Sequence, residues 1–130
     1  MHNRLYLFKI FTLLVLPFLM IFTIFSSLSA AQNVASKPSV LEFSSPMCPT
    51  CRQLAEVLPS VEAKYANQVI VKKINTASSD SETAQLVSKY KVTVVPTLVF
   101  IDKKGNTVRT TQGCLPKSQL DSYFNELIDR

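Results

Sequence analysis

The chain has 130 residues, of which 47% are hydrophobic and 18% are charged, and its formal net charge is +5. This length and composition suit one packed domain. The basic residues are scattered and the aromatic residues make up only 9%, which argues against a nucleic-acid-binding surface. The one histidine, His2, lies at the start, so the remainder offers neither a histidine base nor a histidine metal ligand.

Residues 1–31 have the pattern of an export signal. Basic residues precede an almost uninterrupted apolar run over residues 10–25, and small residues follow it. Ser29 and Ala31 fit the small-residue positions of a signal peptidase site, so cleavage would make Gln32 the first mature residue.

An uncleaved membrane anchor is the alternative. The apolar stretch over residues 10–28 approaches the roughly 20 residues that span a bilayer. In either case we expect the remainder outside the cytosol, in the periplasm or an equivalent compartment. Residues 32–39 are small, polar and proline-containing, which predicts a linker before a domain over residues 40–130.

The domain begins with a predicted strand and helix. Residues 40–43 form a short apolar run and predict a buried strand. Four residues then recur with helical spacing on one face: Leu54, Leu58, Val61 and Tyr65. Pro59 lies inside this helix and is expected to kink it rather than end it, because the apolar stripe continues.

A second strand and helix follow. Residues 69–74 are rich in β-branched side chains, which predicts a strand. Ser79 and Glu82 match a capping box that opens the next helix. The inner side of this helix, which runs through Tyr90, carries Leu86, Val87 and Tyr90.

The last predicted elements are a hairpin and a helix. Residues 92–101 are dense in β-branched side chains, and the strand should begin at or just after Pro96, because proline cannot donate a ladder hydrogen bond. Residues 102–106 contain Gly105 and predict a turn into a strand over residues 107–112. The closing amphipathic helix carries the apolar residues Leu120, Phe124, Leu127 and Ile128.

This order of elements predicts an α/β domain. A strand–helix–strand unit favours a parallel pair of strands, and a tight hairpin requires an antiparallel pair. We therefore expect a central mixed sheet of about four strands with helices on both faces.

Cys48 and Cys51 carry the most chemical interest, and a pair at this spacing has several uses. A zinc site needs four ligands, and only Cys114 remains to supply another cysteine. A structural disulfide would close so small a loop that it would constrain the unfolded chain little. Copper(I) delivery suits soft thiolates, although the chain has no methionine cluster. Thiol–disulfide exchange is the fourth use.

The position of the pair favours thiol–disulfide exchange. Cys48 comes where a buried strand passes into a helix, so its sulfur should lie beside unpaired amides at the positive end of the helix dipole. That setting stabilises a thiolate and makes Cys48 a nucleophile. Cys51, one turn further on the same face, should then resolve the mixed disulfide. Pro49 suits the first helical turn.

Three separated motifs resemble those of the thioredoxin superfamily. They are Leu41-Glu42-Phe43-Ser44-Ser45-Pro46-Met47-Cys48-Pro49-Thr50-Cys51, then Val94-Val95-Pro96-Thr97, and then Gly113. The resemblance implies a thioredoxin-like fold in a minimal version that lacks the leading strand and helix. It also implies a redox-active disulfide between Cys48 and Cys51, with no other cofactor and no metal.

The resemblance implies roles for residues around the pair. Pro96 matches the family's cis-proline, and the backbone of Val95 should pair with a substrate peptide. Met47 stands where the family usually has an aromatic residue, and it should cover the pair as a flexible apolar lid. Substrate contacts are expected from Met47, Pro49, Thr50, Val95 and Gly113.

Glu42 matches the family's buried carboxylate, which helps to deprotonate the resolving cysteine, and Lys73 matches a lysine that pairs with that carboxylate. The alternative is that Glu42 faces outward, because strand alternation between Leu41 and Phe43 predicts that position equally well. Lys73 would then be ordinary surface charge.

Cys114 is the third cysteine and directly follows Gly113. One interpretation is a small buried hydrophobic residue. The other is a third thiol that traps a partner or regulates the pair, a question that an odd cysteine in an exported protein raises.

These observations predict an extracytoplasmic thiol–disulfide oxidoreductase that acts on protein substrates and exchanges electrons with a membrane or soluble redox partner. A reductase is favoured over an oxidase, because a buried Glu42 would suit that direction. The competing hypothesis is a thioredoxin-like binding or chaperone module with a structural disulfide and a peptide groove beside Pro96. We expect a monomer without a nucleic-acid partner, and with an N-terminal membrane anchor if the leader is not cleaved.

Overall fold

The computed structural model describes residues 36–130. The predicted signal or anchor segment and residues 32–35 of the predicted linker lie outside this range. The expectation that no strand and helix precede the first strand also concerns residues outside it. Within the described range, no helix combines the length and the apolar character needed to cross a membrane.

A four-stranded mixed sheet organises the domain. Its strands are β1 (Ser39–Ser44), β2 (Ile70–Asn75), β3 (Thr97–Ile101) and β4 (Thr107–Gln112). They lie side by side in the order β2-β1-β3-β4. β1 is parallel to β2 and antiparallel to β3, and β3 is antiparallel to β4. The predicted mixed sheet is therefore confirmed.

Three helices connect and close the sheet: α1 (Pro49–Tyr65), α2 (Ser81–Lys89) and α3 (Lys117–Ile128). The predicted order of the seven elements is confirmed. Pro59 lies inside α1 without ending it, as expected. β3 begins directly after Pro96, and the turn into β4 is closed by Asp102, whose Oδ1 accepts backbone hydrogen bonds from Lys104 and Asn106 at 2.8 and 2.9 Å.

The start of α2 differs from the expected capping box. Asp80, not Ser79, is the N-cap residue, and its Oδ1 accepts a hydrogen bond from the backbone N–H of Thr83 at 2.7 Å. Its other carboxylate oxygen accepts from the Thr83 hydroxyl at 2.9 Å and from the Ser78 hydroxyl. An ionised carboxylate is the better cap here, because it accepts several hydrogen bonds and its charge is favourable at the helix N-terminus.

One apolar cluster forms on each face of the sheet. Val40 packs on one face with residues of α1 and α3, such as Leu58. Leu41 and Phe43 pack on the opposite face, where α2 lies. Because side chains alternate along a strand, Glu42 shares the face of Val40, which α1 covers.

Candidate active site

The cysteine pair lies at the first turn of α1. A disulfide joins Cys48 to Cys51, and their Cα atoms are 5.2 Å apart. Cys48 is the N-cap residue, and its Sγ accepts a hydrogen bond from the backbone N–H of Cys51 at 3.1 Å. Pro49 takes the first helical position, where its missing N–H has no intrahelical acceptor to lose. The predicted place of the pair, between a buried strand and a helix, is confirmed.

The two cysteines differ in exposure. Cys48 is half-buried, whereas Cys51 is only 4% exposed. An attacking thiol must reach a substrate disulfide, and a resolving thiol must reach only its partner sulfur. The sulfur of Cys48 also accepts a hydrogen bond from the N–H of Cys51 in the first helical turn, at the end of the helix where negative charge is favourable. The arrangement therefore suits attack by Cys48 and resolution by Cys51.

The loop before β3 packs against the pair. Sγ of Cys48 lies 3.6 Å from the carbonyl oxygen of Val95, and the Val95–Pro96 peptide bond is cis. The Thr97 hydroxyl donates to a carbonyl oxygen of the same loop at 2.7 Å. The N–H of Gly113 donates to the carbonyl oxygen of Pro96 at 2.9 Å. Three separate stretches of sequence thus meet at one end of the sheet.

Gly113 and Cys114 occupy different environments. Gly113 has a φ of +85°, a left-handed backbone conformation that strains residues with a Cβ atom. Cys114 is an unpaired cysteine, half-buried, and it packs against the apolar cluster that includes α1 and α3 residues. This packing fits the interpretation of a small hydrophobic residue, while a role as a third thiol stays a prediction.

Met47 does not cover the pair, and the expectation of an apolar lid is wrong. Its side chain is 86% exposed. A tight turn, closed by a hydrogen bond from the N–H of Cys48 to the carbonyl oxygen of Ser45 at 3.1 Å, directs Met47 into solvent. Pro49 is exposed and Thr50 is half-buried, so both present surface next to the pair.

Glu42 is buried, and the outward-facing alternative is wrong. Only 4% of its surface is exposed, because α1 covers this face of the sheet. Glu42 and Cys51 line the same cleft, which has a volume of about 290 Å³. Burial raises the pKa of the Glu42 carboxyl above its ordinary value of 4.5; the Lys73 ammonium group counteracts part of this rise and the Glu62 carboxylate adds to it.

Lys73 does not form the expected ion pair with Glu42. The two residues are partners in the β1–β2 register, but Nζ of Lys73 lies 3.2 Å from Oε2 of Glu62 on α1. No salt bridge joins Lys73 to Glu42 in the part of the chain that the structure describes. The lysine side chain is 53% exposed, so its ammonium group keeps water contact that it would lose beside a buried carboxyl.

Glu62 is the site residue that sequence reasoning missed. It lies four residues after Leu58 and next to Val61, at the border of the buried stripe of α1. Helical spacing could have placed it towards the sheet. Spacing could not have shown which lysine it meets, because that depends on how α1 crosses β2.

The sequence is similar to thioredoxins. The Thioredoxin family model matches residues 25–126. The chain is 35% identical to thioredoxin of Haemophilus influenzae over 91 residues, which cover 70% of this chain and 80% of that protein. It is 36% identical to thioredoxin 1 of Synechococcus elongatus over 92 residues, which cover 71% and 81% of the two proteins.

Solved structures show the same similarity. The germline-specific thioredoxin Deadhead of Drosophila melanogaster superposes with a TM-score of 0.62 at 25% identity, over 72% of this chain and 83% of that chain. Thioredoxin-2 of a malaria parasite, described as a component of the parasite's protein secretion machinery, superposes with a TM-score of 0.61 at 16% identity, over 69% and 82% of the two chains. This second likeness concerns the fold alone. The expected thioredoxin-like fold is confirmed.

Proposed function

This chain belongs to the thioredoxin family and is a thiol–disulfide oxidoreductase, and from that premise we propose that it reduces disulfides of protein substrates outside the cytosol. We propose that Cys48 attacks the substrate and Cys51 resolves the mixed disulfide. This assignment rests on the difference in exposure between half-buried Cys48, at the cap of α1, and buried Cys51. A purely structural disulfide would not need one sulfur to be more exposed than the other.

The first step joins enzyme and substrate. In the reduced enzyme, the Cys48 thiolate attacks one sulfur of the substrate disulfide. A bond forms between that sulfur and Sγ of Cys48, and the substrate S–S bond breaks. The other substrate sulfur leaves as a thiolate and takes a proton from solvent. The carbonyl oxygen of Val95 lies 3.6 Å from Sγ of Cys48, and we propose that the backbone of Val95 pairs with an extended substrate peptide there.

The second step releases the product. Cys51 gives its proton to the Glu42 carboxylate and attacks Sγ of Cys48, which forms the disulfide seen in the structure. The bond between Cys48 and the substrate breaks, and the second substrate thiolate leaves and is protonated. The substrate has then gained two electrons from the enzyme and two protons, one from solvent and one that Cys51 gave up to Glu42. A dithiol donor, membrane-bound or soluble, must reduce the pair again.

Glu42 supports the proton transfer that the proposed reduction of a substrate needs. A carboxyl group with a raised pKa is a stronger base than an ordinary glutamate, and it lines the same cleft as Cys51. This arrangement favours deprotonation of the resolving thiol, which reduction of a substrate requires. The similarity to thioredoxins points the same way.

The extracytoplasmic location is supported by the sequence before the described residues. Basic residues, an apolar run and small residues follow one another in the order of an export signal. We propose that the domain works in the periplasm or an equivalent compartment, either released after Ala31 or held by residues 10–28.

Reduction of insulin by dithiothreitol tests the activity. The wild-type protein should accelerate insulin reduction, and Cys48→Ser should fall to the rate of dithiothreitol alone, because a serine hydroxyl cannot form the mixed disulfide. Cys114→Ser is the matched control and should keep the wild-type rate. A wild-type rate no higher than that of dithiothreitol would contradict the proposal and favour a binding module.

The reduction potential of the Cys48–Cys51 couple tests the direction. Equilibration against glutathione should give a value near that of thioredoxin, about −270 mV. A value near about −120 mV would instead identify an oxidant. This measurement does not depend on finding the physiological substrate.

A further inference from the structure

Two neighbouring lysines of β2 reach opposite faces of the sheet. Lys73 extends towards α1, where its Nζ lies 3.2 Å from Oε2 of Glu62. Lys72 extends towards α2, where it pairs with Glu82. Alternation along the strand accounts for the opposite directions. Only the Lys73 pair lies on the face that contains Glu42 and Cys51.

Glu42 and Lys73 are partners in the parallel register of β1 and β2, so their side chains leave the sheet side by side. The Glu42 residue is 4% exposed, and the Lys73 side chain is 53% exposed. The side chain of Glu62 is 24% exposed and lies at the edge of α1, where it meets the end of Lys73. The ammonium group of Lys73 therefore pairs with Glu62 at the surface and not with the buried Glu42.

Few other charged groups lie near Glu42 in the part of the chain that the structure describes. From α1, Arg52 and Cys51 line the same cleft as Glu42. From β2, Asn75 lines that cleft and Lys73 is the register partner. On β3, the register partner of Glu42 is Leu98, which carries no charge. Among the residues that the structure describes, Lys73 and Glu62 are the charged groups that act on Glu42, and the exposed Arg52 lines the same cleft.

We propose that Glu62 is a positioning residue that holds the ammonium group of Lys73 away from Glu42, and so keeps Glu42 available to accept the proton of Cys51. This inference rests on the proposed function, in which Glu42 is the proton acceptor. Without Glu62, the flexible Lys73 side chain is free to turn to its register partner. An ion pair there stabilises the carboxylate and makes it a weaker base.

The direct test follows the titration of Glu42 in the oxidised protein by the carbon-13 chemical shift of its side-chain carboxyl. The oxidised form is chosen because the disulfide leaves neither Cys48 nor Cys51 to titrate. Glu62→Gln should move the midpoint of Glu42 to lower pH, since it removes a negative neighbour and releases Lys73. Glu82→Gln removes the equivalent partner of Lys72 on the opposite face, and it should leave the midpoint in place.

A double variant separates positioning from direct repulsion. Lys73→Met alone should move the Glu42 midpoint to higher pH. Adding Glu62→Gln to Lys73→Met should then have a much smaller effect than Glu62→Gln has in the wild-type protein. An equal effect in both backgrounds would show that Glu62 acts on Glu42 directly, and would overturn the positioning role. An unmoved midpoint in Glu62→Gln would overturn it as well.

The catalytic readout is the pH dependence of insulin reduction. The acid side of the profile should shift to lower pH in Glu62→Gln and stay in place in Glu82→Gln. Because the titration of Glu42 is read without turnover, its result stands apart from the activity. A Glu42 midpoint that moves as expected in a protein that reduces no insulin would refute the proposed function. An unmoved midpoint in an active protein would refute the role of Glu62.

Discussion

The carboxyl group of Glu42 is buried and lines the same cleft as Cys51. Its pKa is raised chiefly by burial, so the folded protein holds the proton more tightly than the unfolded chain does. The stability linked to this group is therefore fully present below its ordinary pKa of 4.5. That stability is lost as the pH rises through the raised value.

Glu42→Gln should remove this pH dependence. The free energy of unfolding of the variant should rise relative to that of the wild type as the pH increases above about 4.5. Each unit by which the pKa is raised adds about 1.4 kcal/mol to the difference. Urea unfolding of both oxidised proteins across this range measures it.

Glu56→Gln is the control for this prediction, because Glu56 is an exposed glutamate of α1. The same substitution there changes an exposed side chain in place of a buried one, so it measures what the loss of a glutamate side chain from the surface of α1 does by itself. Parallel curves for Glu42→Gln and the wild type would show that the buried carboxyl does not titrate differently in the folded protein.

For single residues, the sequence predicted the position of the cysteine pair but not which charged side chains form ion pairs. The spacing of Cys48 and Cys51 and their place after an apolar run carried the redox prediction. The partner of Lys73 could not be predicted, because Glu42 and Glu62 both lie within reach and the choice depends on hydration and helix position. The exposure of Met47 depends on a tight turn whose geometry the sequence did not specify.

At the scale of elements, α2 shows where local pattern reasoning is limited. Ser79 and Asp80 are both good N-cap residues, and the choice depends on which carbonyl and amide groups the turn leaves unpaired. The hydrogen bonds from the Ser78 hydroxyl and from the N–H and hydroxyl of Thr83 lower the pKa of Asp80 to about 2. The stability that this group contributes is present above its ordinary pKa of 3.8 and is lost as the pH falls through about 2.

Asp80→Ala should therefore lower the thermal unfolding midpoint by roughly a few degrees at neutral pH, because it removes the cap. Ser79→Ala should change it little, since the cap of α2 does not use that side chain. Calorimetry of the two variants distinguishes the positions. A larger effect of Ser79→Ala would restore the predicted capping box.

The strands were more predictable than the helix starts. The predicted bounds of the four strands lie within a residue or so of those observed, because the apolar and β-branched runs, Pro96 before β3 and the turn at Gly105 before β4 all mark them. A helix start depends instead on one side chain and its hydrogen bonds. A helix start predicted one residue away leaves the predicted fold unchanged. It does change which substitution is expected to destabilise the helix.

For the whole molecule, local patterns predicted the class of fold, and the resemblance predicted the particular fold. Strand–helix–strand order implies a parallel pair. No local sequence pattern, however, indicates that β3 lies next to β1 rather than at an edge of the sheet. That neighbour relation comes from long-range packing of Leu98 and Phe100 with α1 and α3. It brings Pro96 to the cysteine pair and so builds the site.

The proposed export of the whole chain can be tested in a bacterial host. We expect the intact mass of the exported protein to correspond to a chain that begins at Gln32, or a full-length chain in the membrane fraction if residues 10–28 stay as an anchor. Leu14→Arg places a charge in the apolar run and should retain the protein in the cytosol. Full-length wild-type protein in the soluble cytosol would contradict the proposed location.

The cap of α1 and the reactive sulfur are the same atom. Sγ of Cys48 accepts a hydrogen bond from the N–H of Cys51 while it belongs to the disulfide, and in the proposed reaction the same sulfur is the nucleophile of the reduced enzyme. Attack on the substrate and resolution of the mixed disulfide would therefore both take place at the atom that caps α1. The N-cap of α1 and the redox state of the pair are linked in this fold, because one sulfur serves both.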